Sequence, residues 1–143
     1  MGLILCATRG GEASFRTQEA AIDLAKKRGD NIVFIYVVDL GFLDRTAAPI
    51  VVDVENELDQ MGTFFLIMAE EKAKEKGVQA RTITRHGTVQ EEIIEAVRDE
   101  NATTVVLGRP AGSAGSESAF QAASLEAFAK KIVAETKAEA IIV

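Results

Sequence analysis

The sequence predicts an α/β fold, a single domain built on an open parallel β-sheet with helices on both faces. Short apolar runs alternate with segments of helical period along the whole chain, in the order β-α-β-α-β-α-β-α-β. Most of these runs are apolar at nearly every position, which is typical of strands buried on both faces. The length, 143 residues of which 48% are apolar, suits one hydrophobic core that needs no disulfide or metal.

Five of the apolar runs are predicted to be strands. The second is the clearest, because β-branched and aromatic residues fill it almost completely. The third alternates, with Thr82 and Thr84 opposite Arg81 and Ile83, which places it nearer an edge of the sheet. The predicted strands cover residues 3–7, 32–38, 80–84, 103–107 and 140–143.

Helices are predicted between these strands. Thr88 and Glu91 have the spacing of a capping box, which predicts the start of the third helix. Residues 40–51, which include Pro49, are predicted to be a loop over the carboxyl edge of the sheet. The predicted helices cover residues 17–28, about 54–76, 89 onward and 118–136.

Composition excludes several classes of partner. The chain has 16 Lys+Arg against 22 Asp+Glu, a formal charge of -6, which argues against sequence-independent nucleic-acid binding and against direct contact with an anionic membrane. No apolar run approaches the roughly 20 residues of a membrane span, and the N-terminus lacks the features of a secretory signal. Together with a single cysteine, Cys6, this predicts a cytoplasmic location.

Candidate binding residues follow the strands, because ligands of open parallel sheets bind beyond the carboxyl ends where the strand order reverses. No P-loop and no G-x-G-x-x-G pattern is present. Arg9 and Arg109 end two strands that we expect to lie side by side, which favours a small anionic ligand; each could instead pair with a helix carboxylate such as Glu12 or Glu117. The Gly/Ser-rich segment 108–118 is either an anion-binding loop or a flexible connector. The candidates from these loops are Thr8, Arg9, Gly10, Gly11, Gly87, Gly108, Arg109 and Gly112.

No catalytic or metal site is predicted. His86 is the only histidine and is expected to be solvated in a loop. A histidine metal cluster is therefore excluded, and any Ser-His-Asp set would have to use His86. Cys6 lies inside a strand, where a thiol acts as a small apolar group. Glu91, Glu92 and Glu95 suit a solvated helix face better than acid-base catalysis.

One apolar run is wider than a helix stripe requires. It covers residues 64–68, Phe-Phe-Leu-Ile-Met. We expect it either to be buried on two sides or to contact a partner.

The chain resembles the universal stress protein family along nearly its whole length. The resemblance implies a Rossmann-like sheet in the order 3-2-1-4-5, and a homodimer formed by antiparallel pairing of the last strands, here Ala140 to Val143. One branch of that family binds ATP or AMP. The matching residues are Ile4-Leu5-Cys6-Ala7-Thr8, Gly11-Glu12, Tyr36-Val37-Val38-Asp39, Gly87 before Glu92-Ile93-Ile94, Val105-Val106-Leu107-Gly108, Ser124 opening the last helix, and Ala140-Ile141-Ile142-Val143.

The nucleotide-binding pattern of that branch is only partly kept. Arg9 stands at the acidic position, so the expected carboxylate contact to the nucleotide is lost. Gly108 matches the first glycine of the G-x-x-G pattern, whereas the second is replaced by Ala111, with Gly112 one residue later. The G-S pair reads Ala123-Ser124. Backbone contacts from Val37 and Gly87 would be retained.

Two functional hypotheses follow. The first is a small regulatory protein of the stress response, a homodimer whose crevice holds an anion or an adenine nucleotide. The second is a non-nucleotide-binding dimerisation or interaction module of the same fold, which could be a regulatory domain of a larger protein. An enzyme lacks a plausible general base in the loops, and a receiver domain would need acidic residues where this chain has Thr8 and Arg9.

Overall fold

The computed structural model describes the backbone of residues 2–8, 12–38, 48–109 and 116–143, and the side chains of residues 2–8, 15–38, 56–109 and 124–143. Strands and helices alternate throughout, as the sequence predicts. The elements are β1 (Leu3–Ala7), α1 (Glu12–Arg28), β2 (Asn31–Val38), α2 (Ala48–Glu75), β3 (Ala80–His86), α3 (Val89–Glu100), β4 (Thr104–Leu107), α4 (Ser116–Thr136) and β5 (Glu139–Ile142).

The five strands form one parallel sheet in the order β3-β2-β1-β4-β5. This confirms both the fold class and the strand order that the family resemblance implies. The chain builds outward from β1 to β3 on one side, then returns to place β4 on the other side of β1. The order therefore reverses between β1 and β4, where Cys6 lies opposite Val106.

Both faces of the sheet are buried. Along β1, Ile4 and Cys6 belong to one core cluster and Leu5 to the other, because side chains alternate between the faces of a strand. Helices α1 and α2 cover the first face, and α3 and α4 cover the second. Their buried contributions are Ala21, Ile22, Ala25, Leu66, Ala69 and Ala73 on the first face, and Ile93, Ile94, Ala96, Val97, Phe128 and Ile132 on the second.

Helices α1 and α2 begin earlier than the sequence predicts. Helix α1 begins at Glu12 rather than Thr17, and its first turn carries Phe15, whose ring lies 4.0 Å from the Lys72 ammonium of α2. Helix α2 begins at Ala48, so the prediction of a loop is wrong over residues 48–51; residues 40–47 lie outside the described residues. Pro49 is the second residue of α2, where its missing N–H breaks no helical hydrogen bond.

The other boundaries differ by one or two residues. Strand β3 extends to His86 and pairs only with β2 among the described strands, which confirms its edge position. Thr88 is the N-cap of α3, but its side chain makes no capping bond, so the predicted capping box is wrong in its side-chain contact. The Glu92 N–H donates to the Thr88 carbonyl at 2.9 Å instead, and this backbone bond begins the helix.

No helix within the described ranges is long and apolar enough to cross a membrane.

Candidate functional site

The reversal of strand order places the candidate site beyond the carboxyl ends of β1 and β4. Thr8 follows β1 directly and Gly108 follows β4 directly. Because β1 and β4 are neighbours in register, these two residues begin the two walls of the crevice expected there.

Three buried polar side chains meet at this edge. Thr8, Thr17 and Gln18 are three of the four buried polar side chains within the described ranges; Thr104 is the other. The Gln18 side-chain N–H donates to the Thr8 hydroxyl oxygen at 3.2 Å. We call Thr8, Thr17 and Gln18 the polar floor.

Gly108 allows α1 to approach the end of β4. A Cβ atom at this position would collide with the hydroxyl oxygen of Thr17. The glycine is therefore required by the packing of the polar floor, whatever its part in ligand binding.

Gln18 has an acceptor that no described residue satisfies. Its side chain is 1% exposed, and its carbonyl oxygen Oε1 accepts no hydrogen bond from the part of the chain that the structure describes. Leaving such a group unpaired costs about 1–3 kcal/mol, and unpaired buried acceptors are uncommon in folded proteins. The polar floor thus has an unused acceptor beside Thr8.

Backbone amides at this edge are largely occupied. The N–H of Thr8 donates to the Ile35 carbonyl at 2.9 Å, that of Gly87 to the Val38 carbonyl at 3.0 Å, and that of Arg109 to the Val143 carbonyl at 3.0 Å. These three amides tie neighbouring strand ends together. These three amides are therefore not available to an anion, and among the described groups side chains are the better candidates.

The remaining predicted residues are distributed as follows. Val37 is half-buried on β2, Gly87 is exposed with φ 146°, and the Arg109 side chain is exposed. Ser124 does not open the last helix as expected, because α4 begins at Ser116 and Ser124 is an exposed residue in its third turn. Arg9, Gly10, Gly11 and Gly112 lie outside the described residues.

Thr17 and Gln18 are not among the site residues predicted from the sequence. They precede Ala21 and Ile22 by four residues, which are buried positions of α1, so the helical period was the signal that could have found them.

His86 is exposed, as the sequence predicts, but it ends β3 instead of lying in a loop. Its Nε2 atom lies 2.7 Å from a carboxylate oxygen of Asp59 on α2. The same carboxylate adds to the effect of burial in raising the pKa of the Tyr36 phenol. The structure thus places a Tyr36–Asp59–His86 group between β2, β3 and α2.

Arg85 pairs with two of the three glutamates that are expected on a solvated face, Glu92 at 3.7 Å and Glu95 at 4.0 Å. It also pairs with Asp99 at 2.7 Å. These groups are partly exposed ion pairs that fix α3 to β3, with little effect on stability expected from each one.

Cys6 is fully buried, and burial raises the pKa of its thiol to about 12. Its thiolate is therefore scarce near neutral pH, which fits the prediction that it acts as an apolar core residue. Within the described residues no group of three metal-ligating side chains is found.

Comparisons with known proteins agree with this fold. The model of the universal stress protein family matches residues 1–143. Universal stress protein YxiE of Bacillus subtilis (strain 168) is 28% identical over 113 residues, which are 73% of this chain and 76% of that protein.

Two solved structures have the same architecture. A universal stress protein family member from Burkholderia pseudomallei is 21% identical, with a TM-score of 0.73 over 99% of this chain and 95% of that one. A family protein from Arabidopsis thaliana, solved with AMP bound, is 14% identical, with a TM-score of 0.68 over 100% of this chain and 91% of that one. With the family model covering the whole chain, this protein belongs to the universal stress protein family.

Proposed function

We propose that this protein is a small regulatory protein of the stress response whose crevice beyond β1 and β4 binds an anionic ligand, with ATP or AMP as the leading class. It acts as one domain over residues 1–143, and the fully buried thiol of its single cysteine suits the reducing cytoplasm. We propose binding without catalysis, because the described part of the crevice offers no general base.

The polar floor carries this proposal. Three buried polar side chains at one strand reversal, with the Gln18 carbonyl oxygen unpaired, favour a ligand that brings its own hydrogen-bond donors. The amino group and ribose hydroxyls of an adenine nucleotide are such donors. The AMP bound to the family protein from Arabidopsis thaliana makes this ligand class the first to test.

The positive charge of two arginines near the crevice favours a ligand with an anionic group. Arg109 follows Gly108 with an exposed side chain, and Arg9 follows Thr8 in the sequence. Two arginines after adjacent strands suit phosphate oxygens, which guanidinium groups bind with paired hydrogen bonds. Arg9 replaces the acidic residue of the nucleotide-binding branch, so the mode of binding would differ from that of the branch.

The test is isothermal titration calorimetry of the protein with ATP, AMP and inorganic phosphate. We expect the double variant Arg9→Ala with Arg109→Ala to bind at least about tenfold more weakly than wild type, because one charge-assisted pair contributes on the order of 1.5–3 kcal/mol. Binding of inorganic phosphate would indicate a general anion site, whereas binding of the nucleotides without binding of phosphate would indicate a nucleotide site.

The matched control is Arg81→Ala with Arg98→Ala, which removes the same two charges from exposed positions elsewhere. Equal weakening in both double variants would mean that only net charge matters. If wild type binds none of the three ligands below millimolar concentration, the crevice is not a nucleotide or anion site, and the interaction-module hypothesis is the one left.

We also propose a homodimer formed through β5. This strand pairs only with β4 among the described strands, so its outer edge carries backbone groups without a strand partner. Its residues Ile141 and Ile142, and Val143 after them, are half-buried, which suits a strand that extends its sheet into a second copy.

A further inference from the structure

Helix α2 exposes a contiguous apolar surface. Met61, Phe64 and Ile67 are 50%, 60% and 51% exposed, and they follow one another at a spacing of three residues. Side chains at that spacing are neighbours on one side of a helix. We call these three residues the α2 apolar face.

Packing of the core does not require the α2 apolar face. The opposite side of the helix already supplies Leu66, Ala69 and Ala73 to the core. Phe65 and Leu58 pack against the same cluster from the flanks. Large apolar residues that are adjacent and exposed, rather than scattered, mark interaction sites.

Acidic residues bound this face. Glu57 precedes Phe64 by seven residues and Glu71 follows it by seven, so each lies two turns away on the same side of α2. Both glutamates are exposed. A ligand that covers Phe64 and spans four turns would therefore meet a carboxylate at each end.

Most lysines at the end of α2 are engaged elsewhere. Lys72 lies over the Phe15 ring, and Lys76 pairs with Asp23 at 3.1 Å, both toward α1. Lys74 follows Glu70 by one turn, the spacing of an exposed ion pair. The charge presented along the Phe64 side is thus mainly negative.

Charge decides between two occupants of the α2 apolar face. If a second copy packed on it with twofold symmetry, antiparallel helices would set Glu57 against Glu71, and parallel helices would set each glutamate against its own counterpart. Both arrangements oppose like charges at the ends of the contact. A helix with basic residues beside its apolar stripe meets complementary charge instead.

We propose that the α2 apolar face is a docking surface for a basic amphipathic helix of another protein. Phe64 is the central anchor, Met61 and Ile67 extend the apolar contact, and Glu57 and Glu71 pair with lysine or arginine at the two ends. Recognition of this kind places apolar residues at i, i+3 and i+7 against a helix surface. It is independent of any ligand in the crevice.

The test is fluorescence anisotropy with a labelled synthetic helix of about 18 residues, with leucines at i, i+3, i+4 and i+7 and lysines at the other positions. We expect saturable binding to wild type, weakened at least about tenfold in the double variant Phe64→Ser with Ile67→Ser. A scrambled peptide of the same composition, which lacks an apolar side, should bind no more tightly to wild type than to that variant.

Two matched controls separate docking from general attraction. Val133→Ser removes another exposed apolar side chain, 48% exposed on α4, and should leave the affinity unchanged. Glu57→Lys with Glu71→Lys should weaken binding far more than Glu126→Lys with Glu135→Lys, which reverses two exposed charges on α4.

Three results would overturn the proposal. Affinity for the peptide could be unchanged by the Phe64 and Ile67 substitutions, or the α4 charge variant could lose as much affinity as the α2 variant. The third is that wild type self-associates through this face, with the association lost in the Phe64→Ser, Ile67→Ser variant, because a second copy is then the occupant. The Arg9, Arg109 double variant should bind the peptide like wild type, so failure of the crevice site would not be mistaken for failure of docking.

Discussion

Gln18 combines a structural cost with a position beside the candidate site. The residue is buried, donates to Thr8 and leaves its carbonyl oxygen unpaired. An unpaired buried acceptor lowers the stability of the folded protein unless something else compensates for it. Residues retained at a cost to folding are commonly found where a ligand is bound.

This arrangement predicts that one substitution weakens binding while leaving stability nearly unchanged. Gln18→Met keeps the side-chain volume and removes the unpaired carbonyl, so we expect the free energy of unfolding without ligand to change by less than about 1 kcal/mol. Affinity for an adenine nucleotide should fall several-fold, because the ligand loses an acceptor. Chemical denaturation and calorimetric titration measure the two quantities.

The control is Gln79→Met, at an exposed glutamine directly before β3. It should change neither quantity. A Gln18→Met protein that binds nucleotide as wild type does, or that loses several kcal/mol of stability, would show that Gln18 only supports packing.

Residue-level predictions from the sequence succeeded where chain order alone decides position. Thr8 and Gly108 follow adjacent strands, so the topology places them together. The exposure of His86 is predictable, whereas its pairing with Asp59, which lies 27 residues away on another element, is not. A contact of that kind depends on how α2 packs over the sheet, which the local pattern does not encode.

At the scale of elements, α2 depends on one close approach to the sheet. Gly62 faces the ring of Tyr36 on β2, and a Cβ atom at Gly62 would overlap three atoms of that ring. Tyr36 is itself buried and lies 6.4 Å from the Phe65 ring, centroid to centroid, which limits its movement. The glycine therefore sets the distance between helix and strand.

We expect Gly62→Ala to destabilise the protein although alanine is the better helix former. Overpacking against Tyr36 costs about 1–3 kcal/mol, whereas the helix propensity of alanine offsets at most about 1 kcal/mol. The measurement is urea denaturation followed by far-ultraviolet circular dichroism.

Thr63→Ala is the matched control for the Gly62 substitution. Thr63 is the next residue of α2 and is exposed, so alanine there brings a smaller gain in propensity without a clash. The substitution also removes the hydrogen bond from the Thr63 hydroxyl to the Asp59 carbonyl at 2.9 Å, which offsets that gain. It should leave stability unchanged within about 0.5 kcal/mol. A Gly62→Ala protein as stable as wild type would mean that α2 can move away from β2 at no cost.

Element types were predictable because burial on both faces gives apolar strands that contrast with helical periods. The first residues of the helices were less predictable from the sequence. Helix α2 includes Pro49, which reads as a loop residue in the sequence but fits the first turn of a helix. A start of this kind is decided by backbone hydrogen bonds rather than by composition.

At the scale of the whole molecule, the two edge strands of the described sheet have different characters. Strand β3 forms one edge, with exposed Thr84 and charged residues along it, and β5 forms the other. Alternation of strands and helices predicts the parallel sheet, whereas the strand order came from the family resemblance and is confirmed. Which edge joins a second copy depends on the side chains and backbone groups that it presents.

The direction of the backbone bonds makes the dimer testable. The N–H groups of Glu139 and Val143 donate to β4, so those of Ala140 and Ile142, at alternate positions, point to the outer edge. Ala140→Pro removes one outward donor without removing a bond to β4. We expect wild type to be a dimer at tens of micromolar and this variant to be a monomer, as measured by sedimentation equilibrium.

Thr84→Pro is the control for Ala140→Pro. The Gly87 N–H donates to β2, so by the same alternation the backbone N–H of Thr84 points to the outer edge of β3. It should remain dimeric, and circular dichroism should show that both variants keep their helices. A monomeric wild type would reject the dimer. If Ala140→Pro stays dimeric while Phe64→Ser with Ile67→Ser becomes monomeric, the copies meet through α2, since loss of one edge donor leaves a helical interface intact.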